Sequence, residues 1–251
     1  MNIIEVKNLV KKYDDFVAVN DISFNVKEGE IFGLLGPNGA GKTTTLEIIE
    51  TLRQKTSGTV LVDGFDVDMN ANEVKQRIGV QLQSAGYYPH LNLKELIEVF
   101  AGLYNIKVSS EGVLSTVGLE DKSKSKFKAL SGGQKQRFSI ATTLINKPKV
   151  VFLDEPTTGL DPQARRNLWD LILKIRSEGT TVVMTTHYMD EAEELCDRIA
   201  IIDAGKIMRI DTPDNLIDSL LSTGFEKNKK VKPANLEDVF INLTGKELRE
   251  L

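Results

Sequence analysis

The 251-residue chain has a single cysteine, no long apolar run and no excess of basic charge. One cysteine cannot form an internal disulfide, which fits a reducing compartment. Cys196 closes the helical-looking stretch Glu194-Leu195-Cys196 with no base or cation cluster beside it, so it reads as a small, half-buried apolar residue rather than a reactive thiol. Apolar runs such as residues 149–153 are short, whereas a membrane span needs about 20 consecutive apolar residues. The start, Met1-Asn2-Ile3-Ile4-Glu5, lacks the basic-then-apolar order of a signal peptide. Any service to a membrane is therefore expected from the cytoplasmic face, as a peripheral subunit acting through a partner. With 32 Lys and Arg against 36 Asp and Glu, the net charge is −4. That balance speaks against wide contact with nucleic acid, and no nucleic-acid partner is expected. The one basic cluster, residues 122–128, is short and reads as a solvated loop.

What remains is ordinary globular material, 41% hydrophobic and 27% charged, long enough for one α/β domain with a smaller lobe. Residues 3–10 and 22–26 read as short strands, with turns at Asp14-Asp15 and at residues 27–30. Ile31-Phe32-Gly33-Leu34-Leu35 is the continuous apolar run that a buried parallel strand needs. A helical pattern follows Thr43 to about residue 52, and residues 59–64 return to a strand ending in a turn. Over residues 93–145 the helical period dominates. Leu93, Leu96, Ile97, Phe100, Leu103 and Tyr104 share one face, and Phe138, Ile140, Ala141, Leu144 and Ile145 form another stripe. Strands at 150–153, 181–184 and 199–202 then alternate with helices, which implies a parallel sheet with crossover helices. A helical insert at about 84–147 thus interrupts an α/β core. Residues 222–230 are polar enough for an exposed linker.

Gly36-Pro37-Asn38-Gly39-Ala40-Gly41-Lys42-Thr43 matches G-x-x-x-x-G-K-[ST] between an apolar strand and a helix. Its glycines let successive N–H groups point at phosphate oxygens, and the helix N-terminus adds positive potential. Lys42 is placed to reach the β- and γ-phosphates, and the Thr43 hydroxyl to ligate Mg²⁺, with Thr44 next in line. Residues 150–155 end a second strand in two carboxylates. Asp154 is expected to hold Mg²⁺, and Glu155 to lie beside the attacking water as base or polariser.

These residues alone describe any P-loop nucleotidase. Between the two motifs lies Leu130-Ser131-Gly132-Gly133-Gln134, a small turn opening a helix, and in that position it resembles the signature of ATP-binding-cassette (ABC) proteins. The resemblance runs over nearly the whole chain. It implies a P-loop, RecA-like α/β core with an antiparallel β lobe and an inserted α-helical subdomain, residues 1–220 forming the cassette and 221–251 a linker and docking helix. It implies ATP and Mg²⁺ as ligands, held by Gly36 to Thr44 in the phosphate loop and by Ser131, Gly132, Gly133 and Gln134 of a second subunit. Tyr13 resembles the aromatic that stacks on adenine. Gln83 resembles the glutamine opening the insert, with catalytic and Mg²⁺ roles, although Gln81 competes for that assignment. Asp161, in Thr158-Gly159-Leu160-Asp161, resembles the loop crossing the dimer interface, and also suits a helix N-cap before Pro162. His187, after a buried strand, resembles the switch histidine; the other histidine, His90, reads as structural.

The implied function is ATP hydrolysis by a subunit that pairs with a second copy or a homologous cassette and drives a separate integral membrane permease. Residues 185–193 and the tail at 235–248 resemble cassettes of drug, antibiotic or polysaccharide exporters. An importer motor, or a cassette ATPase acting on ribosomes or DNA, is the alternative. Tyr87 and Tyr88 are candidates either for a docking groove or for capping the insert's core.

Overall fold

A computed structural model of the chain describes residues 1–81 and 86–225. Gln83 and the 235–248 tail therefore lie outside the described residues, as does most of the expected linker and docking helix. In chain order the elements are β1 (Asn2–Tyr13), β2 (Phe16–Lys27), β3 (Ile31–Leu35), α1 (Lys42–Ile49), β4 (Ser57–Val62) and β5 (Phe65–Asp66). There follow α2 (Ala71–Arg77), β6 (Ile78–Gln81), α3 (Leu93–Leu103), α4 (Ser110–Thr116) and α5 (Gly132–Thr143). The last third holds β7 (Val150–Asp154), α6 (Pro162–Ser177), β8 (Thr181–Thr186), α7 (Met189–Leu195), β9 (Arg198–Asp203), β10 (Lys206–Asp211) and α8 (Pro213–Leu221).

These make two sheets. An antiparallel lobe has the order β2-β1-β4-β5, and the second sheet runs β10-β9-β3-β8-β7-β6. In the second sheet β9, β3, β8, β7 and β6 are parallel, and β10 is an antiparallel edge. The parallel strands are buried on both faces, so their side chains divide by the two-residue period. Val151 and Leu153 of β7 enter one core with α3, α5 and α6, while Val150 and Phe152 enter the other with α1 and the antiparallel lobe. Strand order reverses around β3, so the loop after β3 and the ends of β7 and β8 converge at one rim, where open α/β sheets bind ligands.

The insert is less helical than its apolar pattern predicts. Between α4 and α5 only two 3₁₀ turns form, Glu120–Lys122 and Phe127–Ala129, and the basic cluster lies across them. The expected α3 stripe holds through Leu93, Leu96 and Ile97, but Leu103, at the helix's last turn, is 76% exposed. The two tyrosines separate. Tyr87 packs edge-on against Phe100 and Phe138 and 4.3 Å from the Phe127 ring, capping the insert's core, whereas Tyr88 is exposed. Cys196 is buried and burial pushes its thiol up, in keeping with a packing role. Among the described residues no helix is long and apolar enough to cross a membrane.

Candidate functional site

The loop between β3 and α1 curls because its glycines permit it. Gly41 adopts φ +99° with its Cα against the Ala18 carbonyl, where a Cβ would sit 2.5 Å from that oxygen. A Cβ on Gly36 would meet the Ile202 carbonyl at 2.1 Å. The Gly36 N–H donates to the Thr186 carbonyl, which fastens the loop to the end of β8. Inside the curl the Lys42 ammonium is buried; it donates to the carbonyls of Gly36 (2.8 Å) and Pro37 (3.1 Å) and lies 3.4 Å from Glu155 Oε1.

β7 delivers both carboxylates. Asp154 accepts from Thr43 Oγ1 at 3.0 Å and from the Thr185 hydroxyl of β8. Thr185 Oγ1 in turn accepts the Glu155 N–H at 3.0 Å. Thr185 thus ties the two strand ends together, a role with no motif to announce it beyond its place two residues before His187. Glu155 has φ 47°, a left-handed conformation that is uncommon outside glycine and that turns its side chain back over the loop. Its Oε2 accepts from the Thr158 hydroxyl at 3.3 Å and lies 3.3 Å from His187 Nδ1, a pair without hydrogen-bond alignment. Lys42, Thr43, Asp154, Glu155 and His187 therefore meet within contact distance of one another in sequence-remote pairs.

A cleft of about 440 Å³ opens from this cluster, with Lys42, Thr43, Thr44 and Glu155 at one end and Tyr13 and Phe16 at the other. Tyr13 is 36% exposed and is not a core residue of the lobe; Lys11 Nζ lies 4.8 Å and Arg53 Cζ 5.5 Å from its ring. Phe16, its cross-strand neighbour over the Asp14-Asp15 turn, was not anticipated, although that hairpin turn places it beside Tyr13. Asn38 and Gly39 complete the lining with Gly41 and Ala18.

Ser131, Gly132, Gly133 and Gln134 do not line this cleft. Ser131 caps α5: its Oγ accepts the Gln134 N–H at 3.3 Å, and Gln134 Oε1 accepts the Ser131 N–H at 3.0 Å. This reciprocal box satisfies the Ser131 and Gln134 N–H groups; in this first turn Gly132 is exposed, Ser131 and Gln134 are half-buried and Gly133 is buried. Asp161 is likewise outside the cleft and exposed, and caps α6 by accepting the Ala164 N–H at 2.8 Å, ahead of Pro162.

The family model described as ABC transporter matches residues 19–158. The chain is 35% identical to the Nod factor export ATP-binding protein I of Burkholderia orbicola, over 98% of both chains. It is 39% identical to the linearmycin resistance ATP-binding protein LnrL of Bacillus subtilis, over 86% of this chain and 71% of that one. Among solved structures, a dimeric post-hydrolysis state of an ATP-binding cassette bound to ADP and Pi superposes with a TM-score of 0.75 at 30% identity, covering 84% of this chain and 98% of that one. The chain belongs to the ABC transporter family, as an ATP-binding and ATP-hydrolysing cassette.

Proposed function

We propose that two such cassettes close head to tail on two ATP molecules and drive export through a separate integral membrane subunit. One observation supports the site assignment above the others: the Lys42, Thr43, Asp154 and Glu155 cluster occupies one end of the 440 Å³ cleft and an exposed aromatic pair the other. Charge at one end and π-surface at the other suit the phosphates and base of a nucleoside triphosphate. In this reading Tyr13 stacks on the adenine, the N–H groups of residues 36–44 hold phosphate oxygens, and Lys42 exchanges its loop carbonyls for the β- and γ-phosphates. Glu155 accepts a proton from the water that attacks the γ-phosphorus, releasing ADP and phosphate, while His187 holds a γ-phosphate oxygen near it.

The donors at the carboxylate end suit Mg²⁺. Thr43 Oγ1 and Asp154 Oδ2 are hard oxygens 3.0 Å apart, and among the described residues no group of three His, Cys, Asp or Glu offers a softer alternative. Thr43 and Asp154 would hold the ion, with Gln83 as the family's further ligand. Bound there, it neutralises charge on the β- and γ-phosphates. Because Ser131 to Gln134 stand outside their own chain's cleft, with Gly132 exposed at the start of α5, they are available to the γ-phosphate held by a second copy or a homologous cassette. Asp161 then faces the same interface. Export is inferred from the names of the Nod factor and linearmycin relatives and places the cassette on the cytoplasmic face of the membrane.

Two variants test the chemistry. Lys42→Ala should abolish ATP hydrolysis and strongly weaken nucleotide binding. Glu155→Gln should still bind ATP while turnover falls about 10²- to 10⁴-fold, the usual worth of a positioned base. Unchanged turnover in Lys42→Ala would remove the assignment. For direction, cells lacking the intact cassette should accumulate a compound that wild-type cells expel; starvation for a nutrient would favour import, and co-purification with ribosomes or DNA would exclude a transport role.

A further inference from the structure

Glu191 is a fully buried carboxyl (0% exposed) that the proposed hydrolysis does not use. It sits in the first turn of α7, four residues after His187. Its Oε1 accepts the indole N–H of Trp169 on α6 at 3.3 Å. The hydroxyls of Thr186, the last residue of β8, and of Thr157, two residues after Glu155, lie within reach of the carboxyl, and each residue is 1% exposed. Burial raises the carboxyl above the usual carboxylate range, and the hydroxyls of Thr186 and Thr157 lie close enough to draw it part of the way back. Yet Glu191 Oε2 and Thr157 Oγ1 are both buried without a hydrogen bond. A buried carboxyl with an unpaired oxygen is costly, and an apolar side chain of similar size would ordinarily be as stable or more so. Packing therefore does not account for it.

Its neighbours are the two segments that aim the proposed catalytic groups. Thr186 receives the Gly36 N–H on its carbonyl and the Tyr188 N–H on its hydroxyl, so it fixes the start of the phosphate loop and the turn that carries His187. Thr157 accepts the Leu160 N–H, in the loop whose Thr158 hydroxyl holds Glu155 Oε2. We propose that Glu191 is a positioning residue for ATP hydrolysis, seating the loop at 156–161 against the end of β8 through a Glu191–Thr157 hydrogen bond that forms as the loop closes on nucleotide. The inference rests on the reading of Glu155 and His187 given above.

The chain's sole tryptophan touches this carboxyl, which supplies a direct readout. In the full-length protein, Glu191→Leu and Thr157→Val should each keep ATP affinity near wild type and lower kcat about ten- to a hundredfold, the scale of an ångström-level misplacement, and Thr157→Val, which leaves the Trp169 contact in place, should also keep the melting temperature. The double variant should be no worse than the poorer single one. Glu191→Gln keeps an acceptor for Trp169 and offers an N–H to Thr157, and should stay within about threefold of wild type. Addition of a non-hydrolysable ATP analogue should shift Trp169 emission in the wild type and not in Glu191→Leu or Thr157→Val. Wild-type kcat in either variant, strictly additive losses, or an unaltered emission shift would overturn the proposal. Should Glu191→Leu fail to fold, Thr157→Val, which deletes only a hydroxyl, decides the matter. A wild-type protein that does not bind ATP would overturn the site reading itself, whereas variants that bind ATP and turn over normally overturn this inference alone.

Discussion

At the scale of single residues, one of the two acids buried near the phosphate loop carries a pH dependence. Asp154 accepts hydrogen bonds from the hydroxyls of Thr43 and Thr185 at the end of β7. Glu50, just past α1, is 4% exposed, and burial first, then the charges of Asp154 and Glu47, push its carboxyl up to about 8. Because the folded value lies above the unfolded one, the native state binds more protons than the unfolded chain between about pH 4.5 and 8, and stability falls as pH rises through that window. Glu50→Gln removes the linkage. Its stability relative to wild type should rise from pH 4.5 to pH 8 by something on the order of a few kcal/mol and level off above, read from urea midpoints at several pH values. A constant difference across the window would show that Glu50 titrates normally. Neither this acid nor Thr185 was legible in the sequence. Each lies inside an apolar periodic segment where a polar residue carries no spacing rule, and its meaning arises only when β7, β8 and α1 are brought to one rim. Lys42 and Thr43 were legible from the spacing of the phosphate-loop motif, Asp154 and Glu155 from a carboxylate pair closing an apolar run, and His187 from its resemblance to the switch histidine after a buried strand.

At the scale of elements, α1 ends in a motif normally built on glycine. Thr51 N–H donates to the Ile48 carbonyl at 3.1 Å and Leu52 N–H to the Glu47 carbonyl at 2.8 Å, the paired bonds of a Schellman stop. The first of these two donors must be left-handed, and Thr51 takes φ 63° with a β-branched side chain whose hydroxyl is buried without a partner. Thr51→Gly should relieve both costs, offset by the greater freedom of glycine in the unfolded chain. The net gain should be about 1 kcal/mol, or roughly 2–4 °C in Tm for a chain of this size. A lower Tm would mean that the threonine's packing outweighs its backbone cost. The elements that the sequence did not disclose are those with little to bury. α2 buries only Val74 and β10 buries no residue fully, so their apolar periodicity is faint, while α8 has an apolar face but buries none of it fully. The antiparallel lobe, the parallel strands and the start of α5 were legible for the converse reason. Alternation, continuous apolar runs and a small Ser-Gly-Gly turn opening a helix each have a local physical cause.

At the scale of the whole molecule, the separation of the phosphate loop from the first turn of α5 predicts how mutants complement. Gly132 is the sharper probe of the signature, because Ser131 also caps the helix and its loss would weaken α5. A Cβ at Gly132 would meet only a Leu160 methyl at 3.8 Å, and an acid in the first turn of a helix is favourable. Gly132→Asp should therefore fold and bind ATP normally, yet repel a γ-phosphate presented by a second subunit. Alone it should hydrolyse little ATP, and Lys42→Ala alone should hydrolyse none. A head-to-tail pair of one Gly132→Asp and one Lys42→Ala chain has one site with both defects and one site with neither. An equimolar mixture should regain up to roughly a quarter of wild-type turnover, since about half the dimers are mixed and each has one sound site of two. Recovery should depend on total protein concentration, as pairing does. If each cleft were completed by its own chain's signature, both chains in the mixture would stay defective at every concentration, and no activity would return.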